Sequence, residues 1–371
     1  MPLVAHSDLP TFKRLQDEGN FVLSVDRARD QDIRGLHVGL LNMMPDAALE
    51  ATERQFLRLI GSSNPISQFF VHPFTLPEIP RGRQATAHIE KYYENWETIQ
   101  EEGLDALIIT GANVTEPDLA KEVFWQPLID VIDWAENNIT STLCSCLATH
   151  AVMQFRYNEK RLGLDEKMWG VFDHDVVDRS HPLVQDINTR LQVPHSRFNV
   201  VERSQFERAG LHVLIEGDVP GVQLAVSPDG FRVVFFQGHP EYDRISLMKE
   251  YKREVGLYLN KSRDTYPPFP QGYFDSFSQA LLTEYASLVQ QSLKEGKTPP
   301  VFPEEQLVKR LHNTWHDSGE AVVGNWIGLV YQLTHAERKL PYMEGIDLKN
   351  PLDWRKLNDA ASHKPDAAAQ S

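Results

Sequence analysis

The sequence predicts an α/β protein: a doubly wound, mostly parallel sheet flanked by helices, with a helical C-terminal extension. Three observations predict it. Short apolar runs recur, at His37–Met44, Ala106–Thr110, Thr142–Cys146 and Phe231–Gln237, and Pro45, Gly111 and Gly238 close three of them. Such runs suit strands buried on both faces. Helical patterns alternate with them. Polar residues able to do chemistry gather where the runs end.

The elements follow in order. Residues 1–34 are polar and irregular, with one short helix expected near Phe12–Glu18, and are taken as a segment packing on the core. A catalytic α/β unit spans 35–262. Its helices are expected at Ala48–Ile60, at Pro127–Glu136 and at Leu147–Tyr157. Pro127 fits a first turn, and Leu128, Val131, Ile132 and Ala135 share one face. Leu211–Ile215, Val222–Ser227 and Phe231–Phe236 are closely spaced and read as an antiparallel addition to the sheet. Past Tyr266 a turn-rich connector leads into a helical extension over 263–356, with helices expected at Phe274–Glu295 and Asn325–Leu333. Residues 357–371 are rich in Ala, Asp, Ser and Lys and read as a disordered tail.

Composition narrows the function. The 371 residues carry a formal net charge of −15 and no basic run, which excludes general nucleic-acid or anionic-membrane binding. No stretch approaches a membrane span and the N-terminus has no apolar signal region. The two cysteines, Cys144 and Cys146, are two apart, where a disulfide would be strained. A reducing cytoplasm is the expectation.

Ser141-Thr-Leu-Cys-Ser-Cys-Leu-Ala-Thr-His150 ends a β-type run at Cys146 and continues into a helix. A nucleophile on such a turn stands above the sheet edge. The helix N-terminus favours a thiolate, and the Leu147 N–H faces a developing oxyanion. A free cysteine is more often simply buried, and Cys144, one pleat earlier, is read that way. Phe236-Gln-Gly-His-Pro-Glu-Tyr-Asp243 places His239 and Glu241 two apart around a proline, so that Glu241 can orient and stabilise the imidazole. Together these read as a Cys/His/Glu triad.

Gly-His-Pro-Glu after a strand, with an upstream elbow cysteine, resembles the class I glutamine amidotransferase fold, which hosts several chemistries. Further segments narrow the choice. Leu40-Leu-Asn-Met-Met-Pro45, Ile109-Thr-Gly-Ala112, Lys167-Met-Trp-Gly-Val-Phe-Asp-His174, His195-Ser-Arg197 and Gly238-His-Pro-Glu-Tyr-Asp243 occur in this order. Over roughly residues 1–345 they resemble the homoserine O-acyltransferases of the MetA type.

The resemblance implies a Cys146 thioester, His239 as general base and Glu241 as its support. It implies Lys167 as a fixed cation near the acyl group or the coenzyme A anion, and Ser196 as a substrate contact. Arg253 falls on the homoserine-carboxylate clamp. Glu250, three residues earlier on the helix beginning near Asp243, shares its face and is placed to take the amino group. Thr115 falls on the acyl-donor selector. Succinyl users have glycine there and acetyl users glutamate, and threonine, lacking a carboxylate, leans towards succinyl. A second oxyanion donor is expected near Met43–Met44.

The implied substrates are L-homoserine and an acyl-CoA, with no cofactor or metal beyond that co-substrate and with a homodimer expected. Acetyl-CoA as donor, serine as acceptor, or a glutaminase-type hydrolysis by the same triad stand as alternatives. Ser276–Gln306 looks like an insertion relative to shorter family members.

Overall fold

The computed structural model describes residues 3–63 and 67–354. The expected tail at 357–371 lies outside the described residues. Eleven strands form one sheet: β1 (Leu3–Ala5), β2 (Val22–Ser24), β3 (Gly35–Leu41), β4 (Gln68–Phe74), β5 (Ala106–Ile109), β6 (Ser141–Ser145), β7 (Leu162–Val176), β8 (Arg190–Val200), β9 (His212–Gly217), β10 (Gly221–Val226) and β11 (Val233–Phe236). Their spatial order is β2-β1-β4-β3-β5-β6-β11-β10-β9-β7-β8. The first seven in that order are parallel. The last four add antiparallel, starting with β10 on β11. The expected α/β sheet and its antiparallel section are both present.

Among the described residues, twelve α-helices accompany the strands. They are α1 (Pro10–Asp17), α2 (Val25–Arg29), α3 (Leu49–Ser62), α4 (Arg83–Tyr92), α5 (Trp96–Glu102) and α6 (Trp125–Asn138), then α7 (Leu147–Tyr157), α8 (Arg203–Arg208), α9 (Ser246–Leu259), α10 (Ser276–Lys294), α11 (Glu304–Val308) and α12 (His316–Leu333). The irregular reading of the first 34 residues is corrected in part. Besides α1 and α2, two three-residue strands, β1 and β2, extend the sheet there.

The central strands alternate between two cores, as period-2 side chains must. Leu36, Val38, Leu40, Ile108 and Leu143 pack with α3 and α12. Leu41, Leu107, Ile109 and Cys144 pack on the other face with α6 and α7. A third cluster joins α9, α10 and Trp315 to Trp169 and Val171 of β7. The extension thus divides: α12 lies on the sheet, while α10 lies over α9.

Asp105 ties these parts together. It is 1% exposed. It accepts hydrogen bonds from Arg34 Nη2 (3.0 Å), the His37 N–H (2.8 Å) and Thr334 Oγ1 (2.8 Å). The carboxylate thereby joins the starts of β3 and β5 to the end of α12, and three donors offset the cost of burying its charge.

Trp326 of α12 is fully buried and donates from Nε1 to Ser141 Oγ at 2.9 Å. Trp326→Ala leaves a cavity between α12 and the sheet and should cost ~3–5 kcal/mol in urea unfolding. A loss below about 1 kcal/mol would mean that α12 contributes little to the packing of the sheet.

Candidate functional site

The site lies where doubly wound sheets place theirs, beyond the carboxyl ends of the parallel strands. Strand order reverses between β3 and β5, and the segments after β3, β5, β6 and β11 border one cleft of about 520 Å³. Cys146, Lys167, Ser196, His239, Glu250, Arg253, Thr115 and Leu147 all line it. Glu241 stands behind His239.

Cys146 directly follows β6 and precedes α7, with φ 51° and ψ −104°. Non-glycine residues avoid positive φ, so this is a strained elbow. Its N–H donates to Phe236 O of β11 at 2.8 Å. Thr149 Oγ1 bonds the same carbonyl (2.8 Å) and Cys144 O (3.1 Å). Cys144 is fully buried, which pushes its thiol up and leaves it inert.

His239 follows Gly238, where glycine is required. A Cβ there would sit 2.6 Å from Gln223 Oε1 and 2.8 Å from His195 Nε2. The His239 N–H donates to Pro194 O (2.8 Å), and Nδ1 lies 2.8 Å from Glu241 Oε1. That leaves Nε2 without a claim from Glu241, and the Cys146 sulfur is near enough to act on the ring's charge. Burial of the ring opposes its charge, but the Glu241 carboxylate and the Cys146 sulfur outweigh burial. They hold the imidazole well above its usual value. An imidazolium beside sulfur is the arrangement that sustains a thiolate nucleophile.

The oxyanion side needs one correction. The Met43 N–H donates to Thr110 Oγ1 (2.9 Å) and the Met44 N–H to Asn42 Oδ1 (3.2 Å), so neither is free. The loop beside Cys146 is instead Gly111–Ala112: a methyl on Gly111 would lie 3.9 Å from Cys146 Cβ. Leu147, the first residue of α7, keeps its expected place with an N–H that the helix cannot use.

Opposite the triad stands Glu250. Its Oε2 accepts from Ser196 Oγ (2.7 Å), Trp169 Nε1 (2.9 Å) and Lys167 Nζ (3.3 Å), and its Oε1 from Tyr242 OH (2.8 Å). Burial opposes ionisation of this carboxyl, yet Lys167 and the two hydroxyls hold it below the usual range. Lys167 therefore faces a carboxylate rather than standing as a lone cation. Its ammonium also lies 4.4 Å from the Trp169 ring, and burial draws its pKa below the ordinary lysine value. Tyr242 stacks on His239 at 4.4 Å and links the two halves. Arg253, half exposed, has its Nη2 3.4 Å from Glu254 Oε1.

Thr115 does not present its hydroxyl to the cleft alone. Its N–H donates to Glu122 Oε1 (2.6 Å), and Oγ1 lies 3.5 Å from Glu122 Oε2, at the limit of a hydrogen bond. The cation at this end is Arg161. Its Nη2 donates to Glu116 O (3.0 Å), and its buried Nε has no hydrogen-bond partner among the described residues. Arg197 is buried, bonded to Asn199 O and Pro220 O, and near enough to Cys146 to interact with its charge.

Trp169, Arg197 and Tyr242 were overlooked although each lies within or beside a motif that the sequence displays. Arg161 and Glu122 carry no sequence signal, because loop folding alone brings them together.

A family model described as homoserine O-succinyltransferase matches residues 2–336. The homoserine O-succinyltransferase of Allochromatium vinosum is 62% identical over 352 residues, covering 95% of this chain and 99% of its own. That of Thiobacillus denitrificans is likewise 62% identical with the same coverage, and that of Cardiobacterium hominis is 51% identical. Among solved structures, a glutamine amidotransferase from Thermotoga maritima aligns with a TM-score of 0.43 at 10% identity, covering 80% of this chain and 98% of that one. Matched over nearly its whole length, the chain belongs to the homoserine O-succinyltransferase family.

Proposed function

We infer that this protein is an acyltransferase that moves the succinyl group of succinyl-CoA to the hydroxyl of L-homoserine through a thioester on Cys146. The observation that carries the mechanism is the strained Cys146 elbow, paired with a buried His239–Glu241 dyad at the floor of a cation-lined cleft. In the first step the thiolate attacks the thioester carbonyl. The oxyanion meets the Leu147 N–H, the C–S bond to coenzyme A breaks, and the departing sulfur takes the His239 proton. In the second step the homoserine oxygen attacks the Cys146 thioester and gives its proton to His239. The Cys146 thiolate leaves, and the ion pair is restored.

Arg253 takes the homoserine carboxylate. Glu250, already holding four donors, orients Ser196 and Tyr242 around the acceptor and offers its charge to the ammonium. Arg161, with its unspent Nε, meets the free carboxylate of the succinyl group. As the family resemblance implies, the enzyme is a cytoplasmic homodimer needing no cofactor beyond its acyl-CoA. Phe277 and Leu288, exposed on α10, support a subunit contact there, and no helix among the described residues is long and apolar enough to cross a membrane.

Incubation with succinyl-CoA alone should add the mass of one succinyl group to Cys146, and homoserine should discharge it with ping-pong kinetics. Cys146→Ala should neither gain the mass nor turn over. Intersecting kinetics with no acylated enzyme would overturn the two-step course.

Glu241→Gln removes a group that raises the His239 pKa, so that pKa must fall. Discharge of the succinyl-enzyme requires neutral imidazole. Its rising pH limb should therefore move to lower pH, while the plateau drops roughly 10²- to 10⁴-fold for want of orientation. An unmoved limb in stopped-flow measurements would exclude Glu241 as the controlling charge.

Arg161→Leu should lower kcat/KM for succinyl-CoA roughly 10- to 100-fold, the worth of one charged hydrogen bond, and leave the slow use of acetyl-CoA unchanged. Equal losses with both donors would remove Arg161 from acyl selection.

A further inference from the structure

A second cluster of side chains lies away from the cleft. His6 directly follows β1, His37 is on β3, His72 is on β4, and Glu94 lies between α4 and α5. His6 Nδ1 is 3.0 Å from Val4 O, so this nitrogen carries the proton and Nε2 keeps its lone pair. That Nε2 is buried, has no hydrogen-bond partner among the described residues, and lies 3.9 Å from Glu94 Oε1. His72 Nδ1 is 2.7 Å from the same oxygen, and His72 Nε2 is 2.8 Å from His37 Nδ1.

We propose that His6, His72 and Glu94 bind one divalent transition-metal ion of the zinc class. Their donor atoms all lie within 4.8 Å of one another. Donors about 2.0–2.2 Å from a zinc ion stand roughly 3.5 Å apart, so small side-chain adjustments close the site. Two imidazoles and one carboxylate suit zinc, cobalt or nickel and disfavour magnesium or calcium.

The supporting shell is already in place. The Val4 carbonyl holds the His6 tautomer that leaves Nε2 open, the usual arrangement for a ligating histidine. To bind, neutral His72 carries its one proton on Nε2, where it donates to His37 Nδ1, and offers the Nδ1 lone pair to the metal; His37 then carries its own proton on Nε2. Water completes the coordination. Glu94 is 29% exposed, which opens a path to the ion, whereas His6 and His72 are 15% and 8% exposed.

The ion would staple the segment after β1 to β4 and to the connection between α4 and α5. Strand β4 is three places from β6 in the sheet, roughly 14 Å away, so the ion takes no part in acyl transfer.

The test uses the full chain without an affinity tag, stripped by a chelator and titrated with zinc against a chromophoric chelator. Cobalt serves as the spectroscopic probe. One zinc per chain, visible-band cobalt absorption, and an unfolding midpoint that climbs with zinc concentration are expected. His6→Gln and Glu94→Gln, each checked for folding by circular dichroism, should bind zinc roughly 100-fold more weakly with kcat unchanged. Cys146→Ala should bind as the parent does. No zinc retained against the chelator, equal affinity in His6→Gln, or loss of the site in Cys146→Ala would each overturn the proposal.

Discussion

The backbone at Cys146, with φ 51° and ψ −104°, occupies a region that side-chain sterics disfavour by about 1–3 kcal/mol, and its surroundings hold it there. The strand before it is paired on both sides, with β5 and with β11. Phe236 O of β11 accepts from the Cys146 N–H and from Thr149 Oγ1 in the following turn. Residue 146 therefore cannot relax without breaking a ladder bond in the middle of the sheet. The strain lifts the sulfur off the sheet and gives it to the cleft, while Cys144, one pleat back, stays in the core.

The same β11 that braces the elbow delivers His239. Its chain continues through Gln237 and Gly238 to His239, and each step is fixed by the antiparallel strands beside it. Gln237 Nε2 donates to Val201 O and Val222 O, the Gly238 N–H to Gln223 Oε1, and the His239 N–H to Pro194 O. Cys146 and His239 thus hang from neighbouring strands, which sets their separation by ladder geometry rather than by flexible loops. The β7–β8 pair that supplies Pro194 also carries Lys167, Trp169, Ser196 and Arg197. The residues on the two sides of the cleft are consequently parts of one braced unit.

How much of this is legible in the sequence depends on length and repetition. Strands β3, β5, β6 and β11 are apolar on both faces and closed at or near a Gly, Pro or elbow, so their signal is local. Strands β1 and β2 have three residues each, too few to display a period, and they form only because β4 offers an edge. Within β4, His72-Pro73 interrupts the apolar run. Strand β7 is long, but its first half is exposed and charged, which masks its alternation. The Cys146 elbow and the His239–Glu241 pair were legible because elbow and turn geometry is local. The Glu250 network was only half legible: its spacing to Arg253 shows a shared helix face. That three other segments would send Ser196, Trp169 and Lys167 to one carboxylate is a tertiary fact. Likewise the Met43 N–H is taken by a threonine 67 residues away, which no local pattern reveals.

The net charge of −15 and an anionic acyl donor would seem to exclude each other, and the cleft resolves the conflict locally. Arg161, Lys167, Arg197 and Arg253 border it, against the carboxylates of Glu116 and Glu250. These cations are not equivalent. Lys167 is paired with Glu250, and Arg197 is buried and bonded to the Asn199 and Pro220 carbonyls. Arg161 keeps an Nε with no hydrogen-bond partner among the described residues, and Arg253 is half exposed. Low dielectric around the buried Lys167–Glu250 pair strengthens its attraction, while Arg253 stays in contact with water. The division between paired, buried cations and those with donors to spare gives an acidic protein a locally cationic cleft beside Cys146.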